Sequence, residues 1–308
     1  MKYSGRMNSF IRQQNRDIFE TIDIYRNMDG ITHLEFNYPE HVAPFAMADL
    51  KKHMGDMKVN GMATRFQEKF LAGEFTNPDE KISRDAVQLC KDAVDACREL
   101  GGEFLTVWLG YDGFDYSFQI DYEAKWKKII AAFQEVADYG SDIKISIEYK
   151  PFEPRSFSMI DSIGLTLLAI EEIGRPNVGV TLDFCHMLMK HEHPAFSLAM
   201  AAKSGKLFGL HLNDGHRLMD NGLIFGSVNF TAALEVVYYM KKYNFEGVVF
   251  FDSFPFREDA KQEIYTNIET IKAMSEMIDR VGMERIQQVI NKQDGVSAQR
   301  LVLELLKK

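Results

Sequence analysis

Helical and strand signals alternate along the 308-residue chain at intervals of about 25 to 45 residues, the mark of βαβ units and a parallel sheet. Eight strands are legible, each followed by a helix, which is the count of a closed barrel. No GxGxxG opens an early helix and no Walker A string occurs, so the open doubly wound sheet lacks its signature. The sequence therefore predicts an α/β fold. It is a (β/α)8 TIM barrel over residues 1–281, with a C-terminal helical extension over 282–308 that the barrel does not need.

The strands are expected over Tyr3–Phe10, Ile31–Asn37, Lys58–Arg65, Glu103–Leu109, Lys144–Lys150, Val178–Phe184, Leu207–Asn213 and Gly247–Ser253. Two of the intervening helices are well punctuated. Asp121 can cap a helix whose buried face carries Trp126, Ile130, Phe133 and Ala137. Ile160, Ile163, Leu167 and Ile170 recur at helical spacing before Gly174 and Pro176 stop the turn. Cys90 and Cys97 fall with Val87 and Val94 on one helix face, which makes them core residues; Cys185 is also read as packing. Long loops occur at "GEFTNPDEK" and "GYDGFDYSFQ", where they can cover a site.

The net charge of −9 disfavours a polyanionic partner, and no basic run or arm offsets it, so no nucleic acid is expected. The opening "MKYSGRMNSFIRQQN" lacks the apolar core of a secretory leader, and no stretch is long enough for a membrane span. A cytoplasmic, reducing setting without membrane contact is the expectation.

Side chains alternate faces along a strand, so parity tells which residues share a side. Ile145, Ile147 and Tyr149 oppose Ser146, Glu148 and Lys150; Val178, Val180 and Leu182 oppose Gly179, Thr181 and Asp183. Phe208, Leu210 and Leu212 oppose Gly209, His211 and Asn213, and Val249 and Phe251 oppose Val248, Phe250 and Asp252. The branched apolar sets belong under the helices. The other sets point into the barrel, and each ends in a metal-type ligand: Glu148, Asp183, His211 and Asp252, one βα unit apart. Three carboxylates and an imidazole buried together repel one another and resist desolvation unless a divalent cation joins them. Such a donor set suits Mn²⁺, Mg²⁺ or Co²⁺ better than a soft tetrahedral zinc site.

His186 lies just past Asp183, in a loop over the barrel mouth, where it would act as an acid/base or as ligand to a second ion. Asp220 in "HRLMDNG" is its carboxylate partner, with Asp214 the weaker choice. Lys150 shares the face of Glu148, and its ammonium would polarise a substrate oxygen. Trp108 at a strand end offers either an apolar wall to a bound ring or chain or a core-packing side chain. His191 and His193 in "KHEHP" read as solvated loop, and Gly226–Ser227 as a helix cap rather than a phosphate site.

These residues resemble the xylose isomerase-like superfamily of sugar isomerases and epimerases. Glu148-Tyr149-Lys150 is similar to the Glu-x-Lys of the aldose–ketose isomerases, "LDFCH" to their acid-x-x-His, and "HLND" to the next ligand strand. "GEFTNPD", "WLGYDGFDY" and "FDSFPFRED" also look like segments of that group, so the likeness spans roughly residues 57 to 260. Ketose 3-epimerases of the superfamily carry Glu-Asp-His-Glu. Here the last member is Asp252, and Glu-Asp-His-Asp is similar to rhamnose isomerase and its relatives. The resemblance implies a metal-dependent aldose–ketose isomerase on a free, unphosphorylated sugar, Mn²⁺ foremost with Co²⁺ or Mg²⁺ possible, assembled as a homodimer or homotetramer. Glu148, Lys150, His186 and Asp220 would be catalytic, and Trp108 and Lys150 would contact the sugar. The nearest rival is a ketose 3-epimerase or inosose-type lyase on the same metals. Apurinic-site endonucleases need more histidines and a basic face, and a sugar-binding barrel without turnover is the remaining alternative.

Overall fold

The structure, a computed structural model, describes residues 1–307. Eight parallel strands form one sheet: β1 (Lys2–Gly5), β2 (His33–Tyr38), β3 (Lys58–Thr64), β4 (Phe104–Trp108), β6 (Lys144–Glu148), β8 (Val178–Asp183), β9 (Leu207–Leu212) and β10 (Val248–Phe251). Their order, β1-β10-β9-β8-β6-β4-β3-β2, brings the first two strands to opposite ends of the sheet. There Thr32 N–H donates to the Tyr3 carbonyl at 3.3 Å, and a single bridge between Tyr3 and Ile31 closes the ring. Two further strands, β5 (Gly113–Phe114) and β7 (Phe157–Ser158), pair as a small antiparallel ribbon in the loops after β4 and β6.

The helices are α1 (Asn8–Ile11), α2 (Ile18–Arg26), α3 (Met47–Met54), α4 (Glu80–Leu100), α5 (Tyr122–Tyr139), α6 (Ile163–Ile173), α7 (Phe184–Met189), α8 (Pro194–Lys203), α9 (Phe230–Lys242), α10 (Ala260–Val281), α11 (Met283–Ile290) and α12 (Gly295–Leu305). Their starts follow capping chemistry. Asp17, Asp79, Asp121, Ser162 and Asp259 each accept a first-turn backbone N–H of α2, α4, α5, α6 and α10, each cap contributing about 1 kcal/mol. Gly101 and Gly174 end α4 and α6 in the left-handed conformation. Cys90 and Cys97 are buried on α4 with Val87 and Val94, as their spacing requires. On α5, Ile130, Phe133 and Ala137 are buried, whereas Trp126 is half-buried and donates Nε1–H to Glu172 at 2.8 Å.

Most strand ends shift by one or two residues from expectation, and three differences bear on the fold or the site. The first strand stops at Gly5 instead of Phe10, because Met7 and Phe10 are spaced for a helical turn and both enter the core. The strand before His186 ends at Asp183, whose side chain accepts the His186 N–H at 2.9 Å and caps α7. His186 is therefore in the first turn of a helix, and not in a loop. Ile160 precedes α6 and is not part of it.

The barrel interior is filled by small and hydroxyl side chains. Ser146 and Thr181 share a hydrogen bond of 2.6 Å, and Thr106 lies 3.4 Å from Thr181. A Cβ at Gly209 would come within 2.4 Å of Thr181 Oγ1, so only glycine fits beside this cluster. The extension packs back on the barrel. Ile286, Val289, Leu301 and Leu305 are buried, Gln287 accepts from Lys242 of α9, and Arg280 of α10 donates to the Leu305 carbonyl. Among the described residues no helix is long and apolar enough to cross a membrane.

Candidate functional site

The carboxyl ends of the strands open into a cavity of about 230 Å³, the face on which this fold places its reactive groups. Glu148 ends β6, Asp183 ends β8, His211 lies in β9, and Asp252 follows β10. One ligand-type atom from each lies within 4.8 Å of all the others, and all four residues are buried.

His211 lies between two carboxylates. Its Nδ1 is 3.2 Å from Glu148 Oε1 and its Nε2 is 3.3 Å from Glu35 Oε1. Glu35 thus takes the outer nitrogen and leaves Nδ1 facing the cluster, the way a carboxylate orients a metal-binding imidazole. Asn60 Nδ2 fixes Glu35 in turn at 2.7 Å. Asp183 is held at both oxygens, by the His186 N–H at 2.9 Å and by Asn213 Nδ2 at 3.0 Å. Asp252 Oδ1 is 3.2 Å from Arg6 Nε.

The electrostatics show surplus acid. Burial pushes Asp183 up to about 7, with His186 opposing and Asp220, Glu148 and Asp252 adding to the rise. Burial raises Asp252 also, moderated by Arg6. Glu148 is held at about 2 because His211 and His186 outweigh its burial. Burial disfavours a charged His211, but Glu148 and Glu35 overcome it and raise its pKa well above the usual range. Asp252 Oδ1 and His211 Nε2 are buried and, though each faces a charged group at 3.2 or 3.3 Å, neither makes an aligned hydrogen bond. Opposed oxygens around a divalent ion stand roughly 4 Å apart, so a slight contraction of the cluster makes a cation cage. Three oxygen donors, one nitrogen and unsatisfied buried acid fit a hard or borderline divalent ion.

Next to these four donors stands a buried histidine–carboxylate pair. His186 Nδ1 donates to the Tyr149 carbonyl at 3.0 Å, and Nε2 is 3.3 Å from Asp220 Oδ2. Burial opposes charge on His186, but Asp183, Asp220 and Glu148 lift its pKa to about 9. Asp220 is held at about 2 because His186 and Lys150 outweigh its burial. Lys150 Nζ lies 3.6 Å from Asp220 Oδ2 and 2.8 Å from Glu153 Oε1. It is also 5.3 Å from the ring centroid of Trp108, which walls the cavity. The structure therefore brings Glu148, His211, Asp252, His186, Asp220, Lys150 and Trp108 to one cavity, with Asp183 fully buried within 4.8 Å of the other three donors.

Asp214 does not join them. It accepts from the backbone N–H groups of Gly215, Val228 and Asn229, which ties down the loop entering α9 and uses the donors near Gly226–Ser227. His191 and His193 are exposed. The two long loops are pinned to each other: Asp112 accepts from the N–H groups of Glu74, Phe75 and Thr76 at 2.9, 2.9 and 3.1 Å. Four polar or charged cavity residues escaped the sequence reading, namely Arg6, Glu35, Asn37 and Arg65. "HLEFNY" carried the signal for two of them, since its parity puts Glu35 and Asn37 on the inner face.

The sequence pattern described as xylose isomerase-like TIM barrel matches residues 19–287. The chain belongs to that family. Xylose isomerase of Thermus thermophilus is 29% identical over 202 residues, covering 64% of this chain and 52% of the relative. That of Thermus caldophilus is 28% identical over 205 residues, with the same coverage. The chain thus spans about half the length of the curated relatives it matches. Among solved structures, 3-keto-D-glucoside 4-epimerase of E. coli superposes with a TM-score of 0.68 at 16% identity, over 88% of this chain and 98% of the other. D-Psicose 3-epimerase of Clostridium cellulolyticum H10 gives 0.69 at 15% identity, over 90% and 98%. At such identities the likeness establishes the fold and leaves the substrate open.

Proposed function

We propose that the chain is a divalent-metal-dependent aldose–ketose isomerase that interconverts a small free sugar by hydrogen transfer between C1 and C2. One observation carries this reading: a four-donor cage of Glu148, Asp183, His211 and Asp252 adjoins the His186–Asp220 pair and the Lys150 ammonium in one cavity. Glu148, Asp183, His211 and Asp252 would hold the ion, Mn²⁺ foremost, which when bound polarises substrate oxygens and lowers the pKa of hydroxyls. Lys150 offers its ammonium to the carbonyl oxygen as charge grows there. His186 has Nδ1 committed to Tyr149, so Nε2 is the atom that exchanges a proton with a substrate hydroxyl, and Asp220 stabilises its charged form. The same two side chains are those a second ion would use. Trp108 supplies an apolar wall that limits water around the sugar.

The rival is a ketose 3-epimerase or an inosose-type lyase. Epimerisation by opposed carboxylates needs a free base at the last ligand position. Here that residue is an aspartate whose Oδ1 already faces Arg6 Nε at 3.2 Å, which favours the isomerase. The test is to strip the protein with EDTA, restore Mn²⁺, Co²⁺ or Mg²⁺ separately, and follow paired aldoses and ketoses by NMR. The expected result is aldose formed from ketose only after metal is restored. A C3-epimeric ketose as sole product would replace the reading with the rival, and metal-independent turnover would remove it.

A further inference from the structure

The cavity is electrically lopsided. Its metal-type donors come from β6, β8, β9 and β10, whereas β1 and β3, with β2 between them, each deliver an arginine. Arg65 follows the last residue of β3 and lines the cavity, and its side chain forms no hydrogen bond or ion pair with any described residue. Its guanidinium lies 5.5 Å from the Trp108 ring centroid, held against an aromatic face and left with its charge unmatched. Arg6 turns only Nε toward Asp252, at 3.2 Å, while its guanidinium carbon sits 4.4 Å over Phe254. Among the described residues no acceptor lies within hydrogen-bond distance of its two terminal nitrogens, which leaves them open to a ligand. Arg6 also precedes the stretch, residues 19–287, that matches the family pattern.

The two guanidiniums are close enough to feel each other. Burial is the larger reason that Arg6 resists its charge, and Arg65 adds to that resistance. Both also bear on the buried His41, which is pushed down to about 4 chiefly by burial and so adds no charge of its own. The acids facing Arg65 across the cavity are Glu148 and Asp252, the same carboxylates the ion would claim. Once an ion engages them, Arg6 keeps the weaker pull of Asp220, and the two arginines on the opposite rim lose the acids that face them most directly. A neutral sugar would leave them so. A carboxylate or phosphate would match their planar donor forks.

We propose that the substrate is a sugar bearing a compact anionic group at the end remote from the metal-type donors, received between Arg65 and Arg6. This rests on the reading of the cavity as a sugar site and replaces the neutral, free sugar of that reading with an acidic one. Trp108 holds the Arg65 fork in place, so little rotamer freedom is lost when the acid arrives. Asn37, from the intervening β2, lines the same rim.

Calorimetric titration of the Mn²⁺-loaded full chain tests this, using aldoses and ketoses each paired with its uronate and its 6-phosphate. The expected result is an acid that binds at least about 10-fold more tightly than its neutral parent, with an advantage that shrinks at high salt. Whether the uronate or the 6-phosphate shows the advantage identifies the anion. Arg65→Gln should remove most of that advantage and Arg65→Lys should keep part of it, both with metal uptake preserved as the check on folding. The proposal is overturned if no acid binds more tightly than its parent, or if Arg65→Gln and Arg6→Gln both leave the preference intact. Its fate separates from that of the isomerase reading. Selective acid binding without any isomer by NMR sinks the isomerase and keeps the anion site, whereas turnover of neutral sugars without acid preference does the reverse.

Discussion

The side-chain amide of Asn213 has every polar atom engaged at the cage. Its Oδ1 accepts the Cys185 N–H at 2.8 Å, and its Nδ2 donates to Asp183 Oδ2 at 3.0 Å and to the Asp252 carbonyl at 3.1 Å. Asn213→Ala would leave Asp183 free to rotate, and the expected cost is a metal affinity weaker by about 10- to 100-fold, measured by competition with a chromogenic chelator. Behind the cage, burial lifts Glu263 to about 7, with hydrogen bonds from Ser253 and Asn267 limiting the rise. A carboxyl raised in the folded state contributes most below its unfolded value, and that contribution fades as pH climbs through its folded value. Wild-type stability should therefore fall between roughly pH 4.5 and 7, with this group adding up to about 1.4 kcal/mol per pH unit. Glu263→Gln should flatten that part of the curve, as read by denaturant unfolding across the range. Most of the cage was legible because parity is a rigid consequence of the pleat: Glu148, Asp183, His211 and Asp252 needed only the strand phase. Arg6 was not, because it lies just beyond a strand whose length was misjudged.

Among the elements, the loop from Asn213 to Asn229 gains most from one backbone contact. Phe254 N–H donates to the Gly222 carbonyl at 2.7 Å, which ties the Asp220 loop to the chain leaving β10. Gly222 has φ +56°, and a Cβ there would stand 2.4 Å from the Phe254 ring. Gly222→Ala should destabilise the fold by about 1–3 kcal/mol and lower kcat by displacing Asp220 from His186, as shown by thermal unfolding beside steady-state rates. Local signals could not foretell this latch, since Gly222 and Phe254 are distant in sequence and meet only after the ring closes. The same holds for α7. "DFCHML" reads as a strand running out into a loop until Asp183 is seen capping the turn that carries His186. Helices with an apolar stripe and a strong cap, such as α4 and α5, needed no tertiary information.

At the scale of the molecule, strand count and alternation sufficed for the barrel, but the seam between β1 and β2 did not show. A lone bridge and one 3.3 Å hydrogen bond hold it, and so short a contact leaves little trace in a sequence. The hydroxyl cluster of Thr106, Ser146 and Thr181 has a plainer significance. Lying beneath the four donors, it fills the barrel interior, so the described cavity opens toward the carboxyl ends of the strands. If the four donors hold an ion, as proposed, a sugar seated above them would stand in its way out, so metal exchange should slow when the cavity is filled.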